Sequence, residues 1–188
     1  MNAMSIEVPA VAPRGRSLTR ADLETMPDDG RRYELLDGVL VVSPAPRVNH
    51  QVASARLFRL LHDVAAGSGL VALYAPVDVT LADDSVLQPD LVVARREDFG
   101  ERDLPVPPVL AVEVLSPSTR GIDLLLKKDR LERAGCPHYW VVDTDEPSVT
   151  AWALRDGTYQ QAARSVGDEL FEVAEPFSLS LVPSALLA

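Results

Sequence analysis

Val109-Leu-Ala-Val-Glu-Val-Leu115 is the stretch that decides the architecture, because six of its seven residues are apolar. A continuous apolar run of this length reads as a strand buried on both faces, the kind found at the centre of an α/β sheet. Just after it, Ser116 to Thr119 offers helix-capping residues, and Ile122 to Ala134 reads as a helix closed by Gly135. Tyr139-Trp-Val-Val142 is a second buried strand. Before it, Leu87 to Val93 reads as one strand carrying Gln88-Pro-Asp90. Leu70 to Tyr74 and the alternating Val77, Val79 and Leu81 read as two more.

Farther out, Tyr33–Leu36 and Val39–Val42 flank Asp37-Gly38, and Val149–Leu154 and Thr158–Ala163 flank Asp156-Gly157; both read as hairpins. Leu57, Leu60, Leu61 and Val64 give Val48–Ala66 a helical period, and Ser17–Glu24 reads as a short helix capped by Thr19. The tail from Leu170 to Leu187 reads as strand followed by loop or a short helix. The order predicts an α/β fold, a mixed sheet flanked by helices. At 188 residues the chain is expected to be one domain over 17–188 behind a flexible arm of residues 1–16.

The net charge of −10 argues against a protein that coats nucleic acid without specificity, since that binding rests on cationic neutralisation of phosphates. A small site in which a metal ion mediates between acidic side chains and phosphate remains compatible with it. Aromatic residues make up 5% of the chain, too few for a base-stacking platform. The single cysteine, Cys136, excludes an intramolecular disulfide and suits a cytoplasmic location. No run approaches the ~20 apolar residues of a membrane span, so no membrane partner is expected.

Glu113 is the chemical oddity of the central strand. A lone buried carboxylate must be neutral, paired or bound to a cation. Asp90 is a parallel case, an acid at the start of the apolar Leu91-Val-Val93. On adjacent strands the two can converge on a hard cation such as Mg²⁺, which prefers oxygen ligands. Glu34, by alternation, points away from Tyr33 and Leu35 and reads as solvent-facing. Asp123 stands one helical turn before Lys127, a spacing that serves equally an exposed ion pair or a lysine steered toward Glu113. In that helix Ile122, Leu125 and Leu126 are expected to mark the buried side. His50, His62 and His138 show no zinc-like spacing with Cys136, and His50 reads as capping or packing its helix.

Arg32-Tyr-Glu-Leu-Leu-Asp-Gly38, Asn49-His-Gln51, Gln88-Pro-Asp-Leu-Val-Val93, Val112-Glu-Val-Leu-Ser-Pro-Ser-Thr119, Asp123 with Lys127, and Ala134-Gly-Cys-Pro-His-Tyr-Trp-Val-Val-Asp143 occur in that order. The string resembles the Uma-type family of putative restriction endonucleases within the PD-(D/E)XK nuclease superfamily. The resemblance implies a restriction-endonuclease-like core and a Mg²⁺-dependent DNA endonuclease, with Mn²⁺ able to serve in the same place. It implies that Asp90, Glu113 and Glu34 are the acids that hold the metal, and that Lys127 is the catalytic cation. Leu115 stands where the superfamily usually has its lysine, so the resemblance assigns that role to the helix. Arg120 and Lys128 are the expected phosphate contacts at the mouth of the site. Cutting two strands is simplest with two sites, which favours a homodimer. The rival reading is a nuclease fold without turnover, acting as an interaction or regulatory module. A glycoside hydrolase built on paired carboxylates is a third class that has no need of the lysine.

Overall fold

The computed structural model describes residues 15–117 and 119–188, so residues 1–14 of the expected arm and Ser118 of the expected cap lie outside the described residues. Arg16, the last residue of that arm, is already tied down. It pairs at 2.6 Å with Asp22, whose carboxylate also accepts the Thr19 N–H and so secures the short helix α1 (Arg20–Leu23). The hairpin follows as β1 (Arg32–Leu36) and β2 (Val39–Ser43). Its turn residues Asp37 and Gly38 have φ of 48° and 78°, the left-handed pair that matches the twist of the flanking strands.

The long helix α2 (Val48–Gly67) leads to β3 (Leu70–Tyr74), β4 (Asp78–Ala82) and β5 (Ser85–Leu87). Next come β6 (Leu91–Arg95), the two-residue β7 (Asp103–Leu104) and β8 (Leu110–Val114). A helix then precedes β9 (His138–Asp143), the β10 (Ser148–Arg155)–β11 (Thr158–Val166) hairpin and the small β12 (Phe171–Val173)–β13 (Leu179–Leu181) pair. A short helical turn at Pro183–Leu186 ends the chain.

The expected single mixed sheet is divided into two. One runs β2-β1-β5-β4-β7 and the other β11-β10-β9-β8-β6-β3. The expected strand from Leu87 to Val93 is split between them, because β5 belongs to the first and β6 to the second. Gln88-Pro-Asp90 is the corner. Pro89 has no N–H to give a ladder, the Gln88 amide is taken at 2.7 Å by the Glu34 carboxylate, and the chain changes sheet there.

β8 is buried on both faces, as its composition predicts. Val112 and Val114 pack with Trp140 and with Ala53, Leu57, Leu61 and Ala65 of α2, an i, i+4 stripe that is fully buried. Ala111 and Leu115 pack on the opposite face with Tyr139, Val141, Leu131 and Leu36. Strand alternation puts Glu113 on this second face.

The helix after β8 departs from the regular period. Ile122–Lys127 is a π-helical turn that runs into α3 (Lys128–Ala134). Its wider turn exposes Leu125 (70%) and Leu126 (54%), and it buries Asp123 and Lys127 instead. The expectation that Leu125 and Leu126 face inward is therefore corrected. The polar pair faces inward because the groups it meets there are charged, and a π turn rotates the side chains out of the α register. Among the described residues no helix is long and apolar enough to cross a membrane.

Leu61→Ala should lower the unfolding free energy by about 3 kcal/mol, through lost burial and an unfilled cavity between α2 and the six-stranded sheet. Urea unfolding followed by circular dichroism measures it, and a loss under 1 kcal/mol would contradict this account of the core.

Candidate active site

A cleft of about 490 Å³ opens at one end of the inner strands of the six-stranded sheet, where β6 begins and β8 ends. Asp90, Glu113, Lys127, His50 and Arg32 line its depth, and the proline-bearing segments 43–47 and 116–117 wall it. The β6–β8 register pairs Leu91 with Val112 and Val92 with Ala111, so Asp90, just before β6, and Glu113 of β8 come to the same end of the pair. There the Val114 amide reaches Asp90, and both acids line the cleft.

Lys127 is the hub. Its Nζ lies 2.9 Å from Glu34 Oε1, 3.0 Å from Glu113 Oε1 and 3.4 Å from Asp123 Oδ1, with only 4% of the side chain exposed. The three partners come from β1, β8 and the π turn itself. Thr119 Oγ1 donates to Asp123 Oδ2 at 2.7 Å, and the Tyr139 hydroxyl donates to the Asp123 carbonyl at 2.8 Å, which pins the π turn from beneath. Burial works against the Lys127 charge, but Glu113, Glu34 and Asp123 outweigh it and raise its pKa above the ordinary lysine range. Its three acidic neighbours thus favour the cationic form of Lys127. Burial raises the Glu113 carboxyl well above its usual range, and the charges of Asp123, Asp90 and Glu34 add to this against the pull of Lys127.

Asp90 is held differently. Its Oδ1 accepts from Arg32 Nη1 at 2.9 Å, while Oδ2 accepts from the Val114 amide at 2.8 Å and from His50 Nε2 at 3.1 Å. Burial works to raise its pKa, yet the His50 contact, the Arg32 guanidinium and the Val114 amide together hold it at about 2. Asp90 is thus ionised while its neighbour Glu113 is drawn toward the neutral form. Two adjacent carboxyls with opposed tendencies are a common feature of sites that do acid–base or metal chemistry.

The structure brings Asp90, Glu113 and Lys127 together at the cleft and sets Glu34 behind them. Glu34 is 1% exposed, not solvent-facing as its alternation suggests, and Oε1 is engaged by the Gln88 amide and Lys127. Among the described residues no group of three or more His, Cys, Asp or Glu side chains is spaced to hold a metal ion. Of the three acids that the resemblance puts at a metal, Asp90 and Glu113 line the cleft, while Glu34 is turned to Lys127 and the Gln88 amide.

Neither Arg120 nor Lys128 lines the cleft. Arg120 pairs with Asp143 at 2.6 Å, and Lys128 sits over the Trp152 ring, 4.7 Å from its centroid. Both residues expected as phosphate contacts are thus engaged outside the cleft in this structure. Lys128 belongs to the face bearing Tyr139 and Trp152 because consecutive helix residues point in different directions, and its neighbour Lys127 takes the inward one. Sequence reasoning missed Arg32 and His50 as partners of Asp90. Both occur in the motif strings, but they lie 58 and 40 residues from Asp90, so no local pattern could pair them.

A family model described as "Uma2: Putative restriction endonuclease" matches residues 20–184. Among solved structures, the chain is similar to a putative nuclease belonging to DUF820 from Anabaena variabilis. The TM-score is 0.71 at 18% sequence identity, over 90% of this chain and 97% of that one. At that identity the likeness shows the shared fold. A search of curated proteins finds no match.

Two outcomes test the geometry. The lowered Asp90 pKa stabilises the fold above the ordinary carboxylate range, and that contribution is lost as pH falls from about 4 through about 2. Asp90→Asn should therefore remove on the order of 2 kcal/mol of the acid-dependent part of stability. Urea titrations at a series of pH values read it, and identical pH slopes for the two proteins would contradict the assignment. Tyr139→Phe, which keeps the ring but removes the donor to Asp123, should cost about 1–3 kcal/mol and speed amide exchange across 122–127. Unchanged exchange there would show that the hydroxyl does not hold the π turn.

Proposed function

This chain belongs to the Uma2 family of putative restriction endonucleases, and on that premise we propose that the cleft is the centre of a divalent-metal-dependent DNA endonuclease. One observation carries the reading: Asp90 and Glu113 line the same cleft, with the Lys127 ammonium 3.0 Å from the second of them. The donor chemistry fits Mg²⁺, which takes oxygen ligands, keeps several waters and is commonly held by one or two carboxylates plus substrate phosphate. The local charge fits as well. Four buried acids (Glu34, Asp90, Glu113 and Asp123) face two cations, Arg32 and Lys127, and a further positive charge would favour the ionised form of Glu113 that burial opposes. A dication there supplies Lewis-acid polarisation of a phosphoryl oxygen and a lower pKa for a bound water.

The remaining work falls to the chain's own residues. Asp90 and Glu113 would hold the ion, and the Val114 amide and His50 keep the Asp90 carboxylate ionised and oriented for it. Hydrolysis is an in-line attack of water oxygen on phosphorus, in which the P–O bond to the leaving alkoxide breaks on the opposite side, the water's proton passes to solvent and the alkoxide takes a proton from solvent. Negative charge grows on the phosphoryl oxygens as the attack proceeds. Lys127 is too firmly protonated to take the water's proton, so its role is to orient the water and stabilise that growing charge. Glu34 and Asp123 fix the ammonium so that it needs no reorganisation during the reaction. Leu115 is free to join the core because the cation arrives from the helix rather than from β8.

The deciding experiment is incubation with supercoiled, linear and single-stranded DNA, each with and without Mg²⁺ or Mn²⁺. Cleavage of supercoiled DNA that requires metal is expected. Lys127→Ala and Lys127→Arg should lower kcat by about 10²–10³-fold in proteins shown to be folded, whereas Lys128→Ala should leave it within about twofold. Loss confined to Lys128→Ala would reverse the assignment. Metal-dependent thermal stabilisation without cleavage of any DNA would favour the non-catalytic interaction module.

A further inference from the structure

Arg32 has no part in the chemistry above, yet it holds the most exposed of the cleft's carboxylate contacts. Its Nη1 donates to Asp90 Oδ1 at 2.9 Å and to the Gln88 carbonyl at 3.1 Å. The other Asp90 oxygen, Oδ2, already accepts from the Val114 amide and from His50 Nε2. A carboxylate oxygen offers two lone pairs, so Oδ2 is fully engaged. A cation bound by Asp90 must therefore use Oδ1, the atom that Arg32 holds. Guanidinium and dication cannot share that atom without setting like charges side by side in a poorly hydrated recess.

The two cations of the site differ in their freedom to yield. Lys127 is gripped by three carboxylates, and its side chain is 4% exposed. Arg32 is held by one carboxylate and one carbonyl, is 23% exposed and lines the open cleft. Its backbone is fixed at the start of β1 by pairing with Ser43, so only the side chain needs to move.

Resting on the metal-site reading above, we propose that Arg32 is an exchangeable counter-ion for Asp90. It neutralises the carboxylate before a divalent ion binds and gives up Oδ1 to that ion, so the protein sets its own metal affinity through competition. Lys127 does not exchange. The division of labour explains why the cleft, lined by Asp90, Glu113 and Asp123, carries two cations of opposite character.

Calorimetric titration with Mn²⁺, in the absence of DNA, tests the competition on wild type, Arg32→Gln and Arg32→Lys. Arg32→Gln should bind Mn²⁺ about tenfold more tightly than wild type, and Arg32→Lys, which keeps a charge on a smaller head group, should fall between them. Circular dichroism checks folding, and the lysine variant keeps the comparison available if loss of charge unfolds the protein. Metal binding by wild type with equal or weaker binding by both variants would overturn the counter-ion role and leave the metal site standing. Absence of Mn²⁺ binding in all three proteins, with no metal-dependent cleavage, would remove both readings together.

Discussion

The burial of one ammonium group among three carboxylates is the constraint on which the rest of the molecule turns. Lys127 sits within 3.4 Å of Glu34, Glu113 and Asp123, nearly out of reach of water. Removing these charges from solvent is unfavourable, and only their mutual proximity compensates for it. That proximity cannot be had piecemeal. Glu34 is on the five-stranded sheet, Glu113 on the six-stranded sheet and Asp123 on the intervening helix, so the cluster exists only when all three are docked. A polar contact that joins two sheets and a helix in one arrangement specifies register as well as position. A one-residue slip of β8 would turn Glu113 to the α2 side and leave the ammonium short of a partner.

The corner at Gln88-Pro-Asp90 serves the same end by different means. Backbone and side chains are interlocked there, with the Gln88 amide on Glu34, the Gln88 carbonyl on Arg32 and the Val114 amide on Asp90. A chain that changes sheets leaves ladder groups without ladder partners, and the buried acids supply acceptors for them. The acids at this corner therefore serve the fold as well as the proposed chemistry. The folding requirement and the proposed metal chemistry share the Asp90 carboxylate, which the His50, Arg32 and Val114 contacts keep ionised deep in the protein.

The π turn shows how a lysine missing from a strand can be replaced from elsewhere. Leu115 is committed to the core against Leu131 and Tyr139, and the buried cation comes from the helix, whose apolar Leu125 and Leu126 face outward. The wider turn, secured by the Tyr139 hydroxyl on the Asp123 carbonyl, directs Asp123 and Lys127 inward together. Single π turns occur frequently at functional sites, where the displaced geometry aims a side chain that an α-helix would misplace.

How much of this the sequence determined can be read residue by residue. The apolar run around Glu113 determined a strand buried on both faces, Asp37-Gly38 determined the hairpin turn, and the spacing of Leu57 and Leu61 determined the inward face of α2. Each of these follows from interactions spanning a few residues, whose periodicity is written along the chain. The ordered motifs likewise marked Asp90, Glu113 and Lys127 as chemically active candidates. The division into two sheets, the burial of Glu34, the outward turn of Leu125 and Leu126, and the pairing of Arg32 and His50 with Asp90 were decided only by the tertiary structure. Those features depend on desolvated charges that meet across tens of residues, and their balance is a property of the assembled fold rather than of any segment of it.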